Sequence, residues 1–362
     1  MRRTAGLLSR GRVATVAGLA AVALSLAACG SSSSSSSSST TSSTNAAATG
    51  SSASTTSSAS STGKHVKIAY MSFAVANTYD APMLAAAKAV AAAENASVTV
   101  FDANNSPTTQ YSQLQDAITS GGYQGIITQP IESTNLIPLV KQAISKGIKV
   151  VNIDQILGPS LSTYQKQVPG LSGNVVFNPT ELGHKWGALV VQACKANNLN
   201  PCDVGYLYDI KASALDVALR AAFNQAIASD PSVKIVAEGQ DFFTPADGLK
   251  AVQDMLQSNS SINLIAGSDQ GIEGAQQANT SKKVVLVGYG GSAAGIAGIQ
   301  SGKWFGSVQQ TPATEGRLGM QQVIAAAQNG TNSAAVDPLA SLPNGGTITK
   351  ANVGQFHAEW PG

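Results

Sequence analysis

The stretch "KGIKVVNIDQ", residues 146–155, sets an apolar run behind a glycine and ends it abruptly on an acid. Its consecutive apolar, largely β-branched residues read as a short strand buried on both faces, which is the signature of a parallel sheet. Similar runs recur outward in both directions: "VKIAYMSF", "SVTVFDA", "QGIITQP", "LSGNVVF", "DVGYLYD", "VKIVAEG", "LIAGSD", "KKVVLVGYG" and "WFGSVQQ". Between most of them lie Ala-rich segments with helical spacing, such as "DAPMLAAAKAVAAAEN" and "ALDVALRAAFNQAIAS". Alternating strands and helices mean βαβ units, hence an α/β fold with parallel sheets covered on both faces. Ten strands in one open sheet would be crowded at this length, so two doubly wound lobes are expected.

Helix-start chemistry agrees with that reading. Ser106 precedes Pro107, Asp80 stands just before Pro82, and "SDP" closes a helix ahead of the strand at Val233. Ligands of such folds bind beyond the carboxyl ends of the strands. Those ends carry Phe73, Asn77, Tyr79 and Asp80 after the first strand and Gln129 after the third. Further along come Asp154 and Gln155, then Phe242 and Phe243, Ser268 and Asp269, Tyr289, and Gln309 with Gln310. Amides and carboxylates bond hydroxyls in pairs, and aromatic faces cover the apolar C–H side of a sugar-like ring. Taken singly, each has an ordinary structural use, an Asx as helix cap or a Phe as core. The constellation is what points to a binding site.

The order of "KIAYMSF", "NTYD", "GIITQP", "GIKVVNIDQ", "ALRAAFNQAI", "LIAGSDQGIEGA", "VVLVGYGG" and "GSVQQTP" resembles the type I periplasmic binding proteins of the pentose/hexose kind, over roughly residues 66–328. These are the solute-binding components of ABC importers. The resemblance implies two lobes joined by three hinge crossovers, near residues 168–176, at Gln310–Pro312 and around 330–336. The lobes would then be 64–170 plus 312–332 and 171–311 plus 333–362. Asn77 and Tyr79 match the Asn and first aromatic of the family's binding loop, while Asp80 stands where a second aromatic is common. Asp154 matches the ligand-binding acid, Phe243 the aromatic that covers the sugar, and Gln310 the hinge amide. Ser268 stands where Asn is frequent, with Asp269 following. Gln155 replaces the usual Arg, Val217 falls at the second cleft Arg, and Gly290 replaces the Asp of the "GFDG" turn. Fewer charge-assisted hydrogen bonds should weaken recognition of an ordinary aldopentose, leaving a small neutral sugar, polyol or deoxy-sugar as the expected solute.

The N-terminus points to export. Arg2, Arg3, Arg10 and Arg12 precede an apolar segment ending in "LAAC", residues 26–29. This pattern reads as a lipoprotein signal peptide over residues 1–29, with Cys29 as the lipidated residue. Residues 30–63 are almost wholly Ser, Thr, Ala and Gly, a composition that cannot bury enough surface to fold and reads as a disordered tether. Removing four arginines from 22 basic residues leaves 18 against 20 acids, so the mature chain is slightly acidic. Nucleic acid is therefore not an expected partner. Cys194 and Cys202, nine residues of "CKANNLNPC", are expected to pair as a disulfide in an oxidising compartment. A monomer on the outer face of the cytoplasmic membrane, delivering solute to an ABC permease, is the expected arrangement.

Other chemistries find little support. His65, His184 and His357 are scattered, so no metal site, catalytic cluster or cofactor is expected. "GYGGSAAGIAG" lacks dinucleotide spacing, and no Ser lies in a GxSxG context. A LacI-type repressor core would share the fold, but an export signal stands where its helix-turn-helix would be. A sensory receptor serving a membrane kinase or chemoreceptor, or a non-sugar solute such as a nucleoside, are the remaining alternatives. The tail from Asn329 is expected to pack back across the hinge, and "HAEWPG" carries no functional reading.

Overall fold

The computed structural model describes residues 63–278 and 284–362. The expected signal peptide with Cys29, and all of the tether but its last residue, lie outside the described residues.

The first sheet is built from β1 (Val66–Ser72), β2 (Ala96–Asp102), β3 (Gly125–Thr128), β4 (Lys149–Asp154), β5 (Gly173–Val176) and β11 (Ala335–Val336), in the order β11-β5-β4-β3-β1-β2. All its pairings are parallel. Helices α1 (Asp80–Ala93) and α9 (Pro312–Asn329) cover one face, and α2 (Pro107–Ser120) and α3 (Ile137–Ser145) cover the other. Strand alternation divides β1 between them: Val66, Ile68 and Tyr70 join the α1/α9 layer, whereas Ala69 and Met71 join the α2/α3 layer.

The second sheet holds β6 (Cys202–Tyr208), β7 (Val233–Gln240), β8 (Leu264–Ser268), β9 (Val285–Tyr289), β10 (Gly306–Val308) and β12 (Thr347–Thr349), ordered β12-β10-β9-β8-β6-β7. Only β12 runs antiparallel among these described strands. Trp186, Leu189 and Val190 of α4 (Pro179–Ala196) pack with Leu219 and Phe223 of α5 (Ala214–Ile227) on one face. The other face meets α6 (Pro245–Ser258), α7 (Asp269–Ala278) and α8 (Ala293–Ser301), through Val252, Ile272 and Ile299. Each sheet thus repeats the doubly wound order 2-1-3-4-5, whose switch points fall at β1/β3 and at β6/β8.

Local sequence explains most element ends. Ser106 Oγ accepts from Thr109 N–H at 3.2 Å behind Pro107, and Thr244 Oγ1 accepts from Asp247 N–H at 3.1 Å. The Cys194–Cys202 disulfide, 2.07 Å between sulfurs, ties the end of α4 to the start of β6. The lobe boundaries need correction. Strand β5 pairs with β4, and β11 with β5, so residues 173–176 and 335–336 belong to the first sheet, not the second lobe. The chain therefore passes between sheets at 177–178 and between 337 and 346, each later than the stretch the resemblance implied, and at 309–311, which overlaps the implied Gln310–Pro312.

Candidate functional site

The carboxyl ends of both sheets face a single cavity of about 470 Å³, counting its atom-free space to the mouth. From the first sheet come Phe73, Asn77 and Tyr79 after β1, Asp80 at the start of α1, and Asp154 and Gln155 at the end of β4. From the second come Phe243 after β7, Ser268 at the end of β8, and Gln310 at the second crossover. These nine sequence-derived candidates share one lining. Asp269 does not. It is fully buried behind the wall, where its carboxylate accepts from Ser292 N–H (2.7 Å), Ser292 Oγ (2.8 Å) and Ser307 Oγ (2.7 Å). Its work is to lock β8 to the start of α8 and to β10.

Four more residues complete the lining: Leu215, Gln270, Tyr289 and Trp360. Tyr289 was visible at a strand end, and Gln270 follows Ser268 by two positions; Leu215 and Trp360 gave no local signal. Val217, matched by resemblance to a cleft Arg, is 55% exposed and outside the lining, which Leu215 enters two residues earlier. Gln129, at the end of β3, lies just beneath the lining. Its Nε2 donates to Asp80 Oδ1 at 2.5 Å and to Asp154 Oδ2 at 2.9 Å, so one amide bridges two buried acids.

Asp154 receives further bonds from Gln155 Nε2 at 3.2 Å and from the Tyr79 hydroxyl at 3.5 Å. Burial nevertheless dominates and pushes its carboxyl up to about 6, against the lowering effect of these donors. Burial and the Asp154 charge likewise raise Asp80 and Glu315 well above the usual carboxylate range. Glu315 lies in the first turn of α9 and is fully buried, and neither of its oxygens receives a hydrogen bond. Gln155, where the resemblance led to an Arg, helps hold Asp154 without neutralising it.

A second acidic layer supports the other wall. Asp241 accepts from Phe243 N–H at 2.9 Å and from Ser268 Oγ at 3.1 Å, and burial pushes it up to about 7. The Tyr289 hydroxyl donates to Asp209, whose carboxyl is raised by burial and by its neighbours Asp241 and Asp216. Asp154, Phe242 and Phe243 all hold positive φ, at 62°, 49° and 58°. Non-glycine residues rarely adopt that conformation, and it concentrates where side chains must be aimed at a site.

The two walls touch. Gln270 Nε2 donates to Thr78 Oγ1 at 2.9 Å, and Phe73 meets Phe243 edge-on with ring centroids 6.4 Å apart. Five aromatic side chains, several amides and two carboxyls line the enclosure, and no Lys or Arg among the described residues does. Such a lining offers acceptors to hydroxyl donors and flat faces to C–H groups. Among the described residues no group of His, Cys, Asp and Glu is arranged to hold a metal.

A family described as "Periplasmic binding protein domain" matches residues 68–331. The D-allose-binding periplasmic protein of Escherichia coli (strain K12) is 25% identical over 236 residues, 64% of this chain and 73% of that protein. The xylitol-binding protein of Mycolicibacterium smegmatis (strain ATCC 700084 / mc(2)155) is 24% identical over 268 residues, 73% of this chain and 71% of its own length. An ABC transporter solute binding protein from Mycobacterium smegmatis, solved with bound glycerol, superposes with a TM-score of 0.68 at 21% identity, over 83% of this chain and 100% of that one. That last likeness is one of fold, and it matches the two sheets described above. The chain belongs to the periplasmic binding proteins, in their type I, ribose/galactose form.

Proposed function

We propose that this protein captures a small neutral polyhydroxylated solute, a sugar or polyol, between its lobes and delivers it to an ABC permease. The observation that carries this reading is the enclosure itself: aromatic walls, carboxyl and amide acceptors, and no lining cation among the described residues, at the facing switch points of two sheets. Relatives named for D-allose, xylitol and ribose support the solute class. Asp154, Asn77 and Tyr79 serve one lobe and Phe243, Ser268 and Tyr289 the other, with Gln310 at the hinge. Closure then gains from contacts that only both lobes together supply. The chain acts as a monomer, held at the outer face of the membrane by a lipid on Cys29. Alkyne-fatty-acid labelling, lost in Cys29→Ala, tests that anchor.

Isothermal titration of the mature protein against D-allose, D-ribose, xylitol, myo-inositol and a set of nucleosides tests the solute class. Binding confined to the nucleosides would sink the sugar and polyol reading. Asp154→Ala should weaken the best binder by about 10- to 150-fold, the equivalent of roughly 1.5–3 kcal/mol for hydrogen bonds to a charged group. An unchanged affinity would leave Asp154 a structural acid.

A further inference from the structure

The last six residues, "HAEWPG", make more specific contacts than a trailing tail needs. Thr311, just before helix α9, supplies no side-chain cap, and Glu359 provides one from the tail: its carboxylate accepts from Thr314 N–H at 2.8 Å and Thr314 Oγ1 at 2.6 Å. The carbonyls of Trp360 and Pro361 accept from Ala293 N–H and Ala294 N–H, both at 2.9 Å, at the start of α8. One short segment therefore satisfies first-turn amides of a helix in each lobe. His357 O adds a bond from Gln309 Nε2 at 2.6 Å, on the crossover between them.

Between these anchors Trp360 enters the cavity wall, only 4% exposed. Its ring meets Tyr79 edge-on at 5.4 Å, and Tyr79 is the residue whose hydroxyl points at Asp154. Its Nε1 donates to Gly290 O at 2.9 Å, so the indole N–H is spent on the protein and the ring has only apolar surface left for a solute. Gly290 makes the placement possible. Its φ is 137°, and a Cβ there would lie 2.5 Å from Trp360 Cζ2. A larger residue at 290 and the indole cannot occupy the same space.

We propose that residues 357–362 form a strap that completes the solute site, with Trp360 as the wall that selects a solute presenting an apolar C–H face on that side. This rests on the cavity being the solute site. The strap also spans both lobes, so the aromatic wall stays registered with Asp154 on one side and Tyr289 on the other.

The test compares wild type, Trp360→Phe, Trp360→Ala, Asp154→Ala and a chain ending at Phe356, each titrated calorimetrically with the best binder of the sugar and polyol panel. Trp360→Ala and the shortened chain should both lose at least tenfold in affinity, whereas Trp360→Phe, which keeps an aromatic face without the N–H, should stay within about threefold. Wild-type affinity in Trp360→Ala, with a tenfold loss in Asp154→Ala, overturns the strap and leaves the solute reading standing. Equal losses in Trp360→Phe and Trp360→Ala also overturn it, because the bond to Gly290 and not the ring face would then matter. Failure of every panel member to bind wild type removes the solute reading and the strap with it.

Discussion

Asp154→Asn should abolish a pH dependence that the wild-type protein carries in its core. An unfolded Asp ionises near pH 3.9, whereas burial pushes Asp154 up to about 6 in the folded chain. The folded state therefore holds this proton more tightly than the unfolded one. Its contribution to stability is full below the unfolded value and is lost as pH rises through about 6. The gap corresponds to about 3 kcal/mol, of which about 2 kcal/mol is lost between pH 4.5 and pH 7. Asn cannot ionise and keeps a carbonyl for Gln129 or Gln155, so the variant lacks this loss. Glu315 sharpens the contrast, since the Asp154 charge is one of the influences that raise it. The measured difference thus belongs to the pair. Urea unfolding of both proteins at half-unit steps from pH 4.5 to 7.5 gives the difference directly. Stability of the variant should gain on wild type by about 2 kcal/mol or more across that range. A difference constant within about 0.5 kcal/mol, or one that favours wild type as pH rises, would refute the burial argument.

The same carboxyl sets a second expectation, with the sign tied to the solute. Hydroxyl donors favour the charged form of Asp154, so affinity for the best panel member should fall by up to about tenfold per pH unit below pH 6 and level off above it, as read by titration at several pH values. Cys194→Ala/Cys202→Ala opens a nine-residue loop and should lower stability by about 2–3 kcal/mol, matched by wild type under reductant in the same denaturation assay. Asp269→Ala removes three accepted bonds within the fold and should cost about 3 kcal/mol or more, while the affinity of the folded fraction stays within about threefold of wild type.

Local patterns made the sheets legible and left the connections between them hidden. The apolar run of β1 and the Ser106–Pro107 helix start are written into a few adjacent residues, and both stand as read. The membership of β5 and β11 is not. Strand β11 is two residues of "AAV", and only its pairing with β5, some 160 positions away, decides which sheet it joins. The site shows the same division. Strand-end residues of the first lobe were found because a parallel strand delivers its last polar residue outward. Asp269 was misplaced by one position: Ser268 and Gln270 reach the lining while the residue between them turns inward. Leu215 and Val217 differ similarly, since two positions on a helix point nearly opposite ways. Trp360 arrives through a tail whose anchors are the first turns of distant helices, and no spacing in "HAEWPG" foretells that.

The buried acids also bear on why closure should wait for a solute. In this arrangement the direct contacts across the cavity are few: the Gln270 amide donates to Thr78 Oγ1 at 2.9 Å and to Asn77 Oδ1 at 3.5 Å, and Phe73–Phe243 and Tyr79–Trp360 meet edge-on. Against them stands the desolvation of Asp80, Asp154 and Glu315 on one wall and Asp209 and Asp241 on the other, which raises every one of these carboxyls. Separating the lobes would let water reach the cavity-facing Asp80 and Asp154 and relieve part of that cost. A solute whose hydroxyls donate to Asp154 removes it in another way, and does so only when the cavity is shut and both walls reach it. On the proposed reading the solute would therefore have a differential affinity for the closed form, which is the condition for shifting the population towards it. A lining cation would have satisfied the acids permanently and stabilised closure without cargo. On the proposed reading, Gln155, in the place where an Arg was expected beside Asp154, would keep that satisfaction incomplete until a solute supplied it.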